Sequence, residues 1–204
     1  MLFRSVSFMD FYSYITGLIG QSGRRGALMI SISCDHPDLE EFIEIKSDLD
    51  KVTKANISVR VSDKFMEAVV KGETLILKFV TDTGETITKE VEAYPIFRKL
   101  AQMNWDYAEP GILFWDRITS WNLLSNNKEF SYAGVNPCAE EPLPAGGSCL
   151  LGSINLAEFV TKERKLDLSS LRETIQVAVI ALNEVLDEGL PLHPLQEQRD
   201  SVAE

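Results

Sequence analysis

The sequence predicts a mixed α/β fold with a largely parallel sheet, and three observations lead to that prediction. Short runs rich in β-branched residues alternate along the chain with stretches whose apolar residues recur at helical spacing. Strands that alternate with helices are typical of parallel sheets and barrels, in which a helix connects one strand to the next. The 204 residues, 45% of them hydrophobic, are enough for one sizeable core or two small ones.

The first elements are predicted from apolar spacing and from helix-ending residues. Apolar residues at helical spacing over 7–20 predict an amphipathic helix, which QSGRRG ends. ALMISIS (27–33) is predicted to be a buried strand, and HPDLEEFIEIK a helix. The polar loop SDLDKVTK leads to a second strand, ANISVRV (55–61). SDKFMEAVVKG predicts a short helix that Ser62 caps and Gly72 ends.

The later elements follow the same rules. TLILKFVTDTGETITKEVEA predicts a hairpin that turns at 82–84, and PIFRKLAQM predicts a helix. EPGILFWDRI is predicted to be a turn, a short buried strand and the start of a helix. LLGSINL is predicted to be a strand, and LSSLRETIQVAVIALNEVLDEG a long helix with Gly189 near its end.

Charge and hydropathy exclude two classes of partner. A net charge of −11 argues against a surface for nucleic-acid polymers, although a few local cations can still hold a nucleotide phosphate. No apolar run approaches the roughly 18 residues of a membrane span. We therefore expect a cytoplasmic protein that binds neither a membrane nor a nucleic-acid polymer.

The stretch NPCAEEPLPAGGSC (136–149) carries the candidate chemistry. The number of cysteines is three, which is odd, and we expect no export signal. Both observations argue against a disulfide scaffold and favour reactive thiols. In an extended segment Asn136, Cys138 and Glu140 would share one face, which places an amide, a thiol and a carboxylate side by side. Such a set suits either a nucleophile with its base or a thiyl radical with its base.

Two plainer interpretations accompany this one. Cysteine is among the most buried residue types, and asparagine, proline and glutamate are common in loops, so the short motif alone is compatible with a structural role. A metal site is not predicted, because Cys138 and Cys149 have no C-x-x-C partner and no nearby histidine in sequence.

The longer stretch NPCAEEPLPAGGSCLLGSINL resembles the finger-loop region of ribonucleotide reductase large subunits, and is most similar to the adenosylcobalamin-dependent class II enzymes. The blocks GRRGALMISISCDHPDLEEFIEIK, NISVRVSDKFM, AEPGILFWDRI and ALNEVLDEGLPLHPL resemble further parts of that family, in the family's order. The resemblance covers almost the whole chain.

The resemblance implies a role for each residue of the motif. Cys138 would become the thiyl radical that removes the ribose 3′-hydrogen of a ribonucleotide substrate. Glu140 would accept the 3′-hydroxyl proton, and Asn136 would hydrogen-bond the substrate. Cys149 would be one member of a redox pair that an external thioredoxin-like dithiol reduces, and Cys34 is predicted to be a small buried hydrophobe.

The resemblance also implies binding of allosteric deoxynucleotide effectors. SGRRG would be the first specificity loop, in which Arg24 or Arg25 grips the effector phosphates. SDLDKVTKAN would be the second loop, with Lys51 and Lys54 as its candidate residues. A plain solvated loop remains the alternative for that second segment.

The family fold is a ten-stranded α/β barrel with the finger loop inside. This chain would be a partial barrel: the first half-barrel, the finger loop and the start of the second half. We expect residues 1–204 to be a single segment of the catalytic barrel domain, truncated at both ends and inactive alone. Adenosylcobalamin would be the cofactor, and the full-length enzyme would be a homodimer.

Three alternatives remain open from the sequence. The chain could belong to a class I large subunit, whose radical arrives from a separate subunit. It could be a non-catalytic nucleotide-binding module derived from the same barrel. A thiol hydrolase that uses Cys138 with Glu140 is disfavoured, because no histidine lies in the loop to raise the thiolate content.

Overall fold

A computed structural model describes residues 5–21, 24–196 and 199–200. The chain divides into two units, Met1–Pro142 and Leu143–Glu204, called the first and second unit below. The helices are α1 (Ser5–Leu18), α2 (Leu39–Glu44), α3 (Asp63–Lys71), α4 (Ala93–Tyr107), α5 (Trp115–Ser120) and α6 (Leu168–Gly189). The strands are β1 (Gly20–Gln21), β2 (Arg24–Arg25), β3 (Leu28–Ser33), β4 (Ala55–Val61), β5 (Thr74–Val80), β6 (Thr86–Glu92), β7 (Gly111–Phe114), β8 (Tyr132–Val135) and β9 (Pro142–Pro144). Short 3-10 helices cover Ile45–Ser47, Leu156–Phe159 and Leu190–Leu192.

A parallel sheet of three strands forms the centre of the first unit. β4 lies between β3 and β7 and runs parallel to both, with Leu28 opposite Ala55 and Ser58 opposite Gly111. A side chain at Gly111 would force Ser58 to move, because its Cβ would lie 2.9 Å from Ser58 Oγ. The predicted mixed α/β fold with a parallel sheet is confirmed. The strands among the described residues do not close into a barrel.

The two faces of β4 differ in character because successive side chains point to opposite sides of a strand. One face is apolar and buried, and consists of Ala55, Ile57, Val59 and Val61. The other, called the polar face below, consists of Asn56, Ser58 and Arg60. The strand therefore has one side for the core and one side for polar contacts.

Helices α2, α3 and α4 contribute fully buried side chains to the core of the first unit. α4 packs against both α2 and α3. The fully buried side chains include Leu39, Phe42 and Ile43 of α2, Phe65 of α3 and Leu100 of α4. Burial of side chains of this size stabilises the fold by about 1.5–3 kcal/mol each before the entropy cost is subtracted.

The predicted ends of α3 are confirmed. Ser62 is the N-cap, and its Oγ accepts a hydrogen bond from Phe65 N at 3.1 Å. Gly72 ends the helix with a left-handed φ of 69°, where its own N–H donates to Ala68 O. The hairpin of β5 and β6 also turns where predicted, and Gly84 adopts a φ of 83° there.

The helix predicted at the N-terminal end is present as α1, but it buries a different face from its apolar stripe. Its buried residues are Val6, Met9 and Ser13. The stripe that predicted the helix is largely exposed, and its members include Phe8, Phe11, Tyr12, Leu18 and Ile19. Polar side chains of α1 instead contact the loop 47–54, as described below.

The strand predicted from LLGSINL is absent from the second unit. Residues 150–155 have no regular structure, and a 3-10 helix follows, capped by Asn155 Oδ1, which accepts a hydrogen bond from Ala157 N at 3.1 Å. An asparagine that satisfies a nearby N–H favours a turn over a strand. The long helix α6 is as predicted, and Asp167 caps it by accepting hydrogen bonds from Ser169 N and Ser170 N. No helix of the described residues has the length and the apolar character needed to cross a membrane.

Candidate active site

Residues 136–142, called the cysteine loop below, form a tight turn and not the extended segment predicted from the sequence. The backbone oxygen of Asn136 accepts a hydrogen bond from Ala139 N at 2.9 Å, and Asn136 N donates to Glu141 O at 3.0 Å. Ala139 adopts a left-handed φ of 67°. Alternation of side chains holds only in extended backbone, so the prediction that the amide, thiol and carboxylate share one face for that reason is wrong.

Asn136 closes the cysteine loop with its side chain as well as its backbone. Its Oδ1 accepts a hydrogen bond from Glu141 N at 3.1 Å. Because this oxygen is engaged inside the loop, Nδ2 is the part of the amide that is suited to donate to a substrate. The substrate-binding role of Asn136 stays a prediction, and the structure adds that this residue also builds the loop.

Cys138 and Glu140 are both exposed on the cysteine loop. The structure therefore brings the three predicted residues of the motif into one loop of the first unit. Glu141 is exposed as well, and because side chains do not alternate in a turn, the geometry gives no preference for Glu140 over Glu141 as the base. The choice of Glu140 as the base rests on the family resemblance.

Two side chains on the polar face of β4 hold the cysteine loop and the strand that leads into it. Asn56 Nδ2 donates to Pro137 O at 2.7 Å, and Arg60 Nη1 donates to Ala133 O at 3.2 Å. The Arg60 guanidinium also lies over the ring of Trp115, with Cζ 5.0 Å from the ring centroid. Its Nε is buried and has no hydrogen-bond partner among the described residues. Burial lowers the pKa of Arg60 from its ordinary value.

Sequence reasoning missed Asn56 and Arg60, although a signal was present. The strand ANISVRV alternates apolar residues with Asn56, Ser58 and Arg60, which is typical of a strand with one polar face. In a parallel sheet both faces are usually apolar. A polar face on a central parallel strand therefore indicates that something polar lies against it.

The other two cysteines occupy different environments. Cys149 lies in the second unit, exposed, in a segment without regular structure. Cys34 is 1% exposed at the end of β3, and burial raises the pKa of its thiol. The prediction that Cys34 is a small buried hydrophobe is confirmed.

The residues predicted to bind effectors fall in two places of the first unit. Arg24 and Arg25 form β2, which pairs antiparallel with β1, and their side chains lie outside the described part of the structure. Lys51 is about half exposed, with Nζ 3.5 Å from Asp48 Oδ2. Lys54 lines a cavity of about 460 Å³ between α1 and the loop 47–54. Contact of these lysines with an effector stays a prediction.

Hydrogen bonds join the loop 47–54 to α1, and Lys46 links it to the first residue of β4. Asp10 Oδ1 accepts a hydrogen bond from Val52 N at 2.8 Å, and Ser13 Oγ accepts one from Lys54 N at 2.9 Å. Lys46 Nζ donates to the backbone oxygens of Val52 and Ala55, both at 2.7 Å. The loop that contains Lys51 and Lys54 is therefore ordered at its C-terminal end by three side chains that sequence reasoning did not single out.

Lys46 also forms an ion pair with Glu109. Nζ lies 2.9 Å from Glu109 Oε2, and the two side chains are 14% and 24% exposed. Glu109 Oε1 accepts a hydrogen bond from Ile57 N at 2.9 Å, so the pair joins the loop to β4. Each proton on the ammonium group has an acceptor, which is what a mostly buried lysine requires.

Comparisons with known proteins agree on one family. The family model of the ribonucleotide reductase barrel domain matches residues 4–204. The vitamin B12-dependent ribonucleoside-diphosphate reductase of Thermoplasma acidophilum is 38% identical over 184 residues, which cover 89% of this chain and 23% of that protein. The vitamin B12-dependent ribonucleotide reductase of Streptomyces clavuligerus is 34% identical over 207 residues, which cover 87% of this chain and 21% of that protein. The vitamin B12-dependent ribonucleoside-diphosphate reductase of Mycobacterium tuberculosis is 32% identical over 184 residues, which cover 89% of this chain and 26% of that protein. The chain thus spans about a quarter or less of the length of these relatives.

Proposed function

The chain belongs to the ribonucleotide reductase family, and from that premise we propose that it is the part of a vitamin B12-dependent ribonucleotide reductase that carries the reacting thiol. The observation that carries the proposal is the exposed Cys138 on a loop held against the polar face of a parallel sheet. A thiol that reacts with a substrate must be accessible, and its loop must be held in a defined place.

The reaction class is conversion of ribonucleotides to deoxyribonucleotides by a thiyl radical. Cys138 takes the 3′-hydrogen of the ribose, and Glu140 accepts the proton of the 3′-hydroxyl. Asn136 donates a hydrogen bond from Nδ2 to the substrate, since its Oδ1 is engaged by Glu141 N. Cys149, paired with a second cysteine from elsewhere in the longer protein, supplies the reducing electrons and is restored by a thioredoxin-like dithiol.

Adenosylcobalamin is the cofactor that we propose, because the relatives are named vitamin B12-dependent. When bound, it supplies the radical. The exposed Cys138 fits the residue that receives it. The described residues offer this thiol, and no residue of the chain is assigned to the corrin ring.

The finer architecture is also part of the proposal. The three parallel strands would belong to the first half of a ten-stranded barrel, with the cysteine loop on its inside and the second unit at the start of the other half. Residues 1–204 would then be one segment of a longer catalytic domain. The whole enzyme would be a cytoplasmic homodimer that binds ribonucleotides.

Allosteric control by deoxynucleotides is proposed for the cavity between α1 and the loop 47–54. Its lining includes Tyr14, Gly17 and Lys54, and a lysine and a tyrosine in one cavity suit a nucleotide phosphate and base. Arg24 and Arg25 would supply further positive charge. No observation favours the class I hypothesis.

The experiment is a chimaera in which this chain replaces the matching segment of the Thermoplasma acidophilum reductase. We expect the chimaera to form deoxyribonucleotides when it is supplied with adenosylcobalamin, effector and a dithiol, whereas the 204-residue chain alone does not. Cys138→Ala should abolish turnover, because no other group in the loop can carry the radical. Cys149→Ser should abolish turnover with dithiols that act through the cysteine pair.

The matched control is Cys34→Ser, which removes a buried thiol of the same chain and should retain turnover if the protein folds. Activity that survives Cys138→Ala would sink the radical assignment. Effector binding without any dependence on Cys138 or Cys149 would instead favour the non-catalytic module.

A further inference from the structure

The contacts between β4 and the segment 133–137 follow a regular pattern. Asn56 bonds Pro137 O, and Arg60 bonds Ala133 O, so the two positions on each segment are four residues apart and run in opposite order. On β4, residues four apart lie about 13 Å from each other and present their side chains on the same face. The two segments therefore cross in an antiparallel sense, joined through side chains at two points.

The Asn56 bond acts directly beside the thiol. Pro137 O belongs to the peptide group whose nitrogen is that of Cys138. A peptide group is planar, so a bond to its oxygen restricts the orientation of the whole plane and the position of the Cys138 Cα atom, from which the side chain leaves the backbone. Asn136 and Glu141 close the loop internally, but neither contact sets where the loop lies on the sheet.

The Arg60 bond acts at the other end of the segment. The guanidinium is planar, and the ring of Trp115 restricts its orientation while Nη1 reaches Ala133 O. Its Nε is buried without a partner among the described residues, and such a group costs stability. Stability alone therefore does not account for an arginine at this position, whereas a bond that sets the register of the passing strand does.

We propose that Asn56 and Arg60 are positioning residues that set the register of the cysteine loop over β4. The relevance of that register to catalysis rests on the proposed function, but the register itself does not. Loss of one neutral hydrogen bond lowers the ratio of docked to undocked loop by about fivefold, and loss of a charged one by about tenfold or more. Misplacement of a reacting group by about 1 Å can lower turnover by about a hundredfold.

The test measures the place of Cys138 without any turnover. In a Cys149→Ser, Val70→Cys background, nitroxide labels are attached to Cys138 and to position 70, which is 85% exposed on α3. Cys34 is buried and stays unlabelled in the folded chain. Pulsed electron paramagnetic resonance then gives the distribution of distances between the two labels.

We expect a single narrow distance in the parent and a broadened or two-component distribution in Asn56→Asp and in Arg60→Met. Aspartate keeps the shape of asparagine, but it has no N–H to donate and its charge repels the carbonyl oxygen. Asn104→Asp is the matched control, because Asn104 Nδ2 also donates to a proline carbonyl, that of Pro110 at 3.1 Å, away from the loop. Arg60→Lys, which keeps a donor, should broaden the distribution less than Arg60→Met does.

Unchanged distributions in Asn56→Asp and Arg60→Met would overturn the proposal, as would a parent distribution that is already broad. Broadening that Asn104→Asp reproduces would also overturn it, since the effect would then follow general loss of stability. If Arg60→Met does not fold, Asn56→Asp against Asn104→Asp decides the question. A chimaera without reductase activity would contradict the proposed function. It would not change the distances between the labels, so the inference drawn from them would still stand.

Discussion

The ion pair between Lys46 and Glu109 permits a prediction whose size follows from the structure. Lys46→Met keeps the length and the apolar stem of the side chain and removes all three polar contacts of Nζ. Two of them reach the carbonyl oxygens of Val52 and Ala55 at 2.7 Å, and the third reaches Glu109 at 2.9 Å. The substitution leaves Glu109 mostly buried and without its positive partner.

The expected cost is about 3 kcal/mol in the free energy of unfolding of the first unit. Removing one partner of a buried pair costs about 3–5 kcal/mol, and the lower end applies because the side chains keep 14% and 24% of their exposure. With a urea dependence of about 2 kcal/mol per molar, the unfolding midpoint should fall by about 1.5 M. Glu109→Gln, which still accepts the hydrogen bond of Ile57 N, should cost less, about 1–2 kcal/mol.

Urea unfolding followed by tryptophan fluorescence measures this, because Trp105, Trp115 and Trp121 all lie in the first unit. The control is Lys71→Met, which breaks an exposed pair with Glu67 at 3.4 Å and should cost about 0.3–0.5 kcal/mol. If Lys46→Met cost no more than this control, the reasoning that a mostly buried lysine anchors the loop 47–54 would be refuted.

Three further predictions concern thiols, a helix cap and a turn. In the native chain a disulfide reagent should modify Cys138 and Cys149 as fast as it modifies an exposed thiol, and Cys34 only after unfolding. Burial blocks access to Cys34 and raises the pKa of its thiol. Fast modification of all three thiols would contradict the placement of Cys34 at the end of β3. Hydrogen bonds from the N–H and O–H groups of Ser170 and the N–H of Ser169 lower the pKa of Asp167. Its cap therefore stabilises α6 fully above the unfolded carboxyl pKa of about 3.8, and this stabilisation is lost as the pH falls through the lower folded pKa. In Asp167→Asn, circular dichroism should show a smaller acid-induced loss of helix, and an unchanged pH profile would count against the cap. Gly72→Ala should lower the free energy of unfolding by about 1 kcal/mol because of the left-handed backbone at φ 69°, although nothing lies within 4 Å of the added Cβ; a neutral result in urea unfolding would show that the helix ends differently.

The local elements were largely predictable from the sequence. The bounds of β4, the cap and stop of α3 and the turn of the β5–β6 hairpin depend on residues within a few positions of one another, and those residues carry the signal in their own chemistry. The burial of Cys34 was predicted because the family resemblance gives no redox role to a thiol at this position and cysteine is often buried. The order of the sequence blocks was also enough to indicate the family, which the comparisons confirm.

The predictions that failed concern segments whose backbone is decided by contacts outside the local pattern. α1 shows its apolar stripe to solvent and turns Asp10 and Ser13 toward the loop 47–54 instead. The segment 150–155 does not form the predicted strand. An apolar run becomes a strand only where a neighbouring strand supplies the partners for its backbone hydrogen bonds.

The sequence by itself determined which residues are present at the candidate site and which short elements carry them. Only the tertiary structure decided how Asn136 folds the cysteine loop and which groups hold that loop on the sheet. Asn56 is 81 positions from Pro137, and Arg60 is 73 positions from Ala133. Hydrogen bonds over such separations depend on the assembled sheet of β3, β4 and β7, because burial of the apolar face of β4 in the core turns both donors to the opposite side.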